Sequence, residues 1–162
     1  MTRENDNGFS LIELLIVVAI VLVLAALAVP NLLRSKISAN EASAVASMRT
    51  INTAQVTYSV TFPNVGYADN LNKLAPPAAG VAPDSTAAGL LDPVLGCAAQ
   101  PCPKSGYNFA ISNPVGAPIT AYTLNGVPIT VGMTGGRGFC SNQISVISYD
   151  PNGGNACTVN LQ

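Results

Sequence analysis

From Phe9 to Val29 the chain is apolar at every position except Ser10 and Glu13. A helix over this stretch, at 1.5 Å per residue, is roughly 31 Å long, about the hydrocarbon thickness of a bilayer. Pro30 follows; it has no N–H to donate and crowds the preceding turn, which predicts a kink or local melting. Beyond it the period stays helical but one-sided. Leu33, Ile37, Ala44, Met48, Ile51 and Tyr58 share a face at 100° per residue. Arg34, Lys36, Glu41, Arg49 and Asn52 lie off that face. This predicts an amphipathic continuation ending near residues 60–63, with its apolar stripe used as core.

Residues 63–105 are rich in Pro, Ala and Gly and show little periodicity. Leu71-Asn72-Lys73-Leu74 has room for one short helical turn, and Pro76, Pro77 and Pro83 oppose regular structure after it. The segment is expected to be a long connecting loop at the surface. From Gly106 the period becomes two, with Tyr107, Phe109 and Ile111 alternating with Asn108, Ala110 and Ser112. Further strands are expected at 121–124, 138–141 and 144–149, with a hairpin turn at Asn125-Gly126. Asp150 to Asn155 reads as a turn and 157–161 as a terminal extended segment. The expected fold is α+β: a long N-terminal helix packed on a C-terminal antiparallel sheet.

Glu13 is the residue that changes this picture most. An ionisable group in a membrane-length apolar run is costly without a partner, so it marks a functional site by default. What precedes the run is short and polar, with Arg3, Glu4 and Asp6 before Gly8. An ordinary secretory signal is cut after its apolar stretch. Here the plausible processing point lies before it, at Gly8/Phe9, which would leave the apolar helix on the mature chain behind a free amine on Phe9.

Gly8-Phe9-Ser10-Leu11-Ile12-Glu13-Leu14-Leu15 resembles the prepilin processing and methylation motif of the type IV pilin family, and Pro30 falls where such pilins commonly carry a kinking proline. The resemblance covers residues 8–33. One departure is visible: family leaders usually carry Lys or Arg just before the glycine, where this chain has Asp6 and Asn7. The resemblance implies a leader at 1–8, a membrane-spanning and filament-core helix at 9–30, an amphipathic helix at 31–62, a connecting loop at 63–105 and a sheet head at 106–162. It implies a structural subunit, not an enzyme: a single-pass inner-membrane precursor, cut after Gly8 and methylated on Phe9 by a prepilin peptidase. The pilus assembly machinery then packs copies through their N-terminal helices into an extracellular pilus or periplasmic filament. Glu13 would pair with the Phe9 amine of an adjacent copy. A pseudopilin of type II secretion shares this N-terminal argument, and an anchored adhesin or sensor that never polymerises is the reading from a different class.

Composition agrees with a self-packing subunit. Charged residues make up 9% of the chain and the formal net charge is −1. Loss of residues 1–8 would leave six basic and six acidic side chains, a balance that argues against an electrostatic nucleic-acid site. The chain has no histidine, which removes Ser-His-Asp and Cys-His catalysis and His-containing zinc sites. Cys97, Cys102, Cys140 and Cys157 all follow the apolar run, and an even count in a small exported domain reads as two disulfides. Three connectivities are open, and proximity favours 97–102 with 140–157; a four-cysteine zinc site is the alternative, at a loose spacing. Asp150, Asn152 and Asn155 resemble a sparse calcium loop, though turn chemistry explains the same residues. Tyr58, Phe62 and Tyr67 cluster near the helix end, where core packing is the default over stacking or charge transport. No cofactor or metal is expected.

Overall fold

The structure, a computed structural model, describes residues 9–161. It divides into two compact units, Met1–Ser35 and Lys36–Gln162. One helix, α1, spans Leu11–Thr61 and contributes to both. Among the described residues of the first unit, every one from Phe9 to Ser35 is exposed. Melting at Pro30 does not occur, since α1 remains helical through that residue. Around the missing N–H, side chains make local bonds, with Asn31 Nδ2 donating to the Leu27 carbonyl and Ser35 Oγ to that of Asn31.

The second unit packs the rest of α1 against a six-stranded antiparallel sheet. Its strands are β1 (Cys102–Lys104), β2 (Tyr107–Val115), β3 (Ala121–Pro128), β4 (Gly138–Asn142), β5 (Ser148–Asp150) and β6 (Val159–Asn160). Spatial order equals chain order, so the sheet is a meander. β1 and β2 join through Ser105-Gly106, both at positive φ (48° and 77°), as a two-residue hairpin turn requires. On β2 the expected alternation holds, with Tyr107, Phe109 and Ile111 buried. They join Leu124, Phe139 and the helix residues Ala44, Met48, Ile51 and Tyr58 in one core. Burying such side chains contributes about 1.5–3 kcal/mol each.

Four expectations are corrected. Asn125-Gly126 is not a turn but the middle of β3, where Gly126 pairs with Phe109 on one side and Phe139 on the other. A Cβ on Gly126 would stand 3.0 Å from the Phe109 ring and 3.4 Å from Met48 Sδ, so the glycine makes room for the helix on the sheet. Ile144 to Val146 is not strand; Ser145 has φ +60°, its N–H donates to the Asn142 carbonyl, and β5 starts only at Ser148. The 63–105 segment is not merely surface, because Ala68, Leu71, Leu74, Ala88, Leu91 and Leu95 are buried in the core and β1 lies at its end. The short helical turn at Leu71–Leu74 is present, capped by the Asn70 side chain. Finally, Glu41 and Asn52 are buried although they lie off the apolar stripe.

Cys97 is bonded to Cys102 and Cys140 to Cys157. The second bridge ties β4 to the segment leading into β6, whose two residues are exposed. Otherwise β6 is held by edge contacts, among them Leu161 N–H to the Ile147 carbonyl. Closing a loop of this size contributes about 3 kcal/mol in the chain-entropy model. Replacing Cys140 and Cys157 by Ala is therefore expected to lower stability by about that amount and to speed hydrogen exchange at 159–161. Tyrosine fluorescence during denaturant unfolding and peptide-level exchange are the measurements. Unchanged exchange at 159–161 would show that the bridge does not hold this edge.

Candidate functional site

The apolar run is exposed along its whole length, with a mean hydropathy of 3.2 over its most apolar 18 residues and none of that stretch buried. At its head the chain makes a local cap. Ser10 precedes the first helical residue, its carbonyl accepts from Leu14 N–H, and its own N–H donates to Glu13 Oε2 at 3.3 Å. A Ser at the cap with Glu three residues on is half of a capping box, and the carboxylate also lies where the helix dipole favours negative charge. The signal, Ser10-x-x-Glu13, stands in the sequence and gives Glu13 a structural role beside the functional one. Phe9 is 70% exposed at the start of this arrangement. Gly8, the expected cleavage residue, lies outside the described residues.

The head contains a second polar centre that periodicity did not single out. Glu41 is buried and fully engaged. Its Oε1 accepts from the N–H groups of Gly136 and Arg137 at 3.0 and 3.1 Å. Its Oε2 accepts from Arg137 Nε and an Arg137 terminal nitrogen at 2.9 and 2.7 Å. The guanidinium in turn lies 5.7 Å from the Phe139 ring centre and 5.2 Å from that of Tyr149. Tyr107 donates its hydroxyl proton to the Arg137 carbonyl, and Asn40 donates to that of Thr134. Burial raises the pKa of Glu41, but its hydrogen bonds with the Arg137 side chain and the Gly136 N–H, and the guanidinium charge, outweigh this and hold it below its ordinary value. The arrangement is a clamp: it fastens the connection between β3 and β4 to the start of the second unit's helix. No local cue in the sequence marks it, because Glu41 lies off the apolar stripe and its partner Arg137 is 96 positions away.

The other expected sites resolve into structure. Asp150 accepts from Asn152 N–H at 2.9 Å and from Ala156 N–H at 3.3 Å, so its two oxygens close the turn. Among the described residues no three His, Cys, Asp or Glu side chains converge as a metal site requires. Tyr58 packs on Phe62 at 4.9 Å between ring centres, and Tyr67 on Tyr122 at 5.1 Å; the two pairs are core packing. All four cysteines are in disulfides.

One comparison with known proteins falls at the N-terminal end of the chain. Residues 3–29 match the family described as the prokaryotic N-terminal methylation motif. The chain is similar to the type IV wide pilus major component PilA4 of Thermus thermophilus, with 42% identity over 67 residues, 41% of this chain and 45% of that protein. It is also similar to the type IV major pilin protein PilA of Myxococcus xanthus, with 38% identity over 56 residues, 35% of this chain and 26% of that protein. The match thus covers less than half the length of either relative. No solved structure matches the chain.

The clamp makes the head's stability depend on pH in a definite direction. A carboxylate with a depressed folded-state pKa stabilises fully above its unfolded pKa, near the ordinary 4.5, and loses that contribution as pH falls through the lower folded value. Glu41→Ala is expected to cost about 2–3 kcal/mol near neutral pH. A sealed pair would cost more, but the Arg137 side chain is 42% exposed. The cost should be constant above about pH 5 and shrink below 4.5. Denaturant midpoints of both proteins across this range measure it; a cost that does not change with pH would mean that the carboxylate charge contributes nothing.

Proposed function

We propose that this chain, which carries the prokaryotic N-terminal methylation motif, is a structural subunit of a type IV pilus and acts by self-assembly, without catalysis. The observation that carries the reading is the uncovered apolar run of α1 with one carboxylate at its head. Such a run needs either lipid or other copies of itself around it. The relatives are pilus major subunits by name, which favours a pilus over a secretion pseudopilus.

In this reading the precursor sits in the inner membrane through residues 9–30. A prepilin peptidase cuts between Gly8 and Phe9 and methylates the new amine. The subunit then leaves the bilayer and packs its helix among those of its neighbours, with the sheet head outward. Glu13 has a physical task at that moment. In a low-dielectric core an unpaired carboxylate is expensive, and the Phe9 amine of an adjacent copy is the opposite charge nearest in kind. Pairing sets the axial register. Pro30 gives the helix a place to bend while it is packed, because its ring forbids one main-chain hydrogen bond.

Two variants separate the roles of Glu13. Glu13→Ala removes cap and charge together. Glu13→Gln keeps a cap acceptor, since Gln serves a capping box, and removes only the charge. Both should insert in the membrane and be cut after Gly8, leaving a chain that starts at methylated Phe9 by intact mass. Both should give little surface filament, as breaking a buried pair costs about 3–5 kcal/mol per subunit. Filament yield is to be compared with membrane-bound processed subunit. Wild-type yield from Glu13→Gln would reduce Glu13 to a cap, and wild-type yield from both would remove it from assembly.

A further inference from the structure

The clamp at Glu41 holds a segment whose own composition is unusual. Between β3 and β4, residues 129–136 are Ile-Thr-Val-Gly-Met-Thr-Gly-Gly, with no charge. Three large apolar side chains on it face solvent: Ile129 is 52% exposed, Val131 55% and Met133 61%. Single exposed apolar residues are ordinary. Val131 lies against Gly153, but Ile129 and Met133, more than half exposed on a connection that also lacks charge, are not explained by folding.

The segment is built to stay in place. Thr134 N–H and Met133 N–H donate to the Thr130 carbonyl, and Gly132 N–H donates to that of Gly135. Ile129 N–H donates to the Gly106 carbonyl in the β1–β2 turn. Gly136, Arg137 and Thr134 are fastened to Glu41 and Asn40 as described. The apolar side chains are thus presented on a fixed turn, and little conformational entropy is lost when they are covered.

Its anchoring point says what lies within reach. Asn40 is seven residues beyond Leu33, the last apolar residue before the polar pair Arg34 and Lys36. Whatever the angle between the two units, seven residues span roughly 25 Å when fully extended and about 10 Å as helix. Chain connectivity alone therefore limits how far Asn40, which holds the turn at Thr134, can lie from the end of the apolar run. Arg34 and Lys36 are both exposed, and long basic side chains there suit the phosphates of a lipid surface. Another exposed apolar turn of this unit, Ile144 to Val146, has no such tether. Ser145 lines a cleft with Val56 and Thr57 of α1, some 16 residues or about 24 Å of helix beyond Asn40.

We propose that the 129–134 turn is a lipid-contact site: while the subunit is resident in the membrane, Met133 and Ile129 enter the headgroup–acyl boundary of the outer face and seat the head on the bilayer. This rests on reading the apolar run as a membrane anchor and does not require that filaments form.

The chain contains no tryptophan, so one introduced Trp is an unambiguous reporter. Met133→Trp, Ile129→Trp and, as the distant comparison, Ile144→Trp are prepared in the full chain. Each is placed in phosphatidylethanolamine/phosphatidylglycerol nanodiscs at one protein per disc, with plain or brominated acyl chains. All three positions are exposed, so each variant should keep the wild-type tyrosine circular dichroism. The expected result for Met133→Trp and Ile129→Trp is blue-shifted emission that brominated lipid cuts by about half, as for a group ~5–10 Å into the boundary. The Ile144→Trp variant should stay red-emitting and unquenched. Water-like emission from both Met133→Trp and Ile129→Trp in discs that hold the protein would overturn the lipid-contact site and leave the anchor reading intact. Failure of the chain to enter discs at all would overturn both. Equal quenching in Ile144→Trp would show a head lying on the bilayer without this turn as its contact, against the proposal. A blue shift that rises with protein per disc but ignores bromine would assign the turn to a second copy instead.

Discussion

An apolar helix that its own chain leaves uncovered is the constraint on which the rest depends. Among the described residues, every apolar side chain from Phe9 to Leu33 is exposed. At about 1.5–3 kcal/mol for each large apolar side chain, the cost of leaving such a run in water is tens of kcal/mol. No rearrangement of the head relieves this, because the head's own core is already filled by α1 from Ala44 to Tyr58. The run must lie in lipid or among other apolar helices. A chain of this kind exists in one of two solvents, and its function under the proposed reading is the transfer between them.

The head shows how a helix that begins so apolar is made to stop being so. In the second unit α1 buries Met48, Ile51 and Tyr58, but it also buries Glu41, Asn52 and Gln55, and each of these is bonded. Gln55 both donates to the Ala68 carbonyl and accepts from Ala68 N–H. Asn52 donates to Ser141 Oγ. Glu41 takes four donors from residues 136 and 137. Polar groups buried without partners would be destabilising, whereas these fix one register of sheet on helix and connect α1 to three different parts of the later chain. With 9% charged residues in the whole molecule, specificity of packing is supplied by this small set rather than by surface ion pairs.

What the sequence made legible follows from which forces act locally. The apolar run, the stripe from Ala44 to Tyr58, the alternation at Tyr107–Ile111 and both disulfides are readable because burial pattern and chain proximity encode them. The misread positions are those where a distant residue decides. Asn125-Gly126 has turn chemistry by itself, but Met48 and Phe109 require a glycine at that point of a strand. Ile144 to Val146 has strand composition, but Asn142 turns the chain there with its side chain and carbonyl. Glu41 looks like a solvated helix residue until Arg137, 96 positions away, is folded against it. The 63–105 segment has no period because its buried residues, Leu71, Leu74, Leu91 and Leu95, fill gaps around the helix end rather than one face of an element. At the start of α1 the reverse holds: Ser10 and Glu13 meet within one helical turn, so this local cap stands in the sequence.

That local chemistry also bears on how an anchored helix becomes an assembled one. In the single chain, Glu13 already has a partner in Ser10 N–H and in the positive end of the helix dipole, which is equivalent to about half a charge. Under the proposed reading the carboxylate is therefore tolerated at the head of the run before any neighbour arrives. An ammonium group supplied by another copy offers a full charge in place of half, and in a low-dielectric core the difference grows as the effective dielectric falls. Exchange of the weaker local partner for the stronger foreign one gains little wherever water or headgroups screen the pair. It becomes favourable only when the surrounding apolar helices have closed over the pair. Under the proposed reading, a residue satisfied twice, once weakly within its own chain and once strongly between chains, makes ion-pair formation conditional on correct packing of the helices around it.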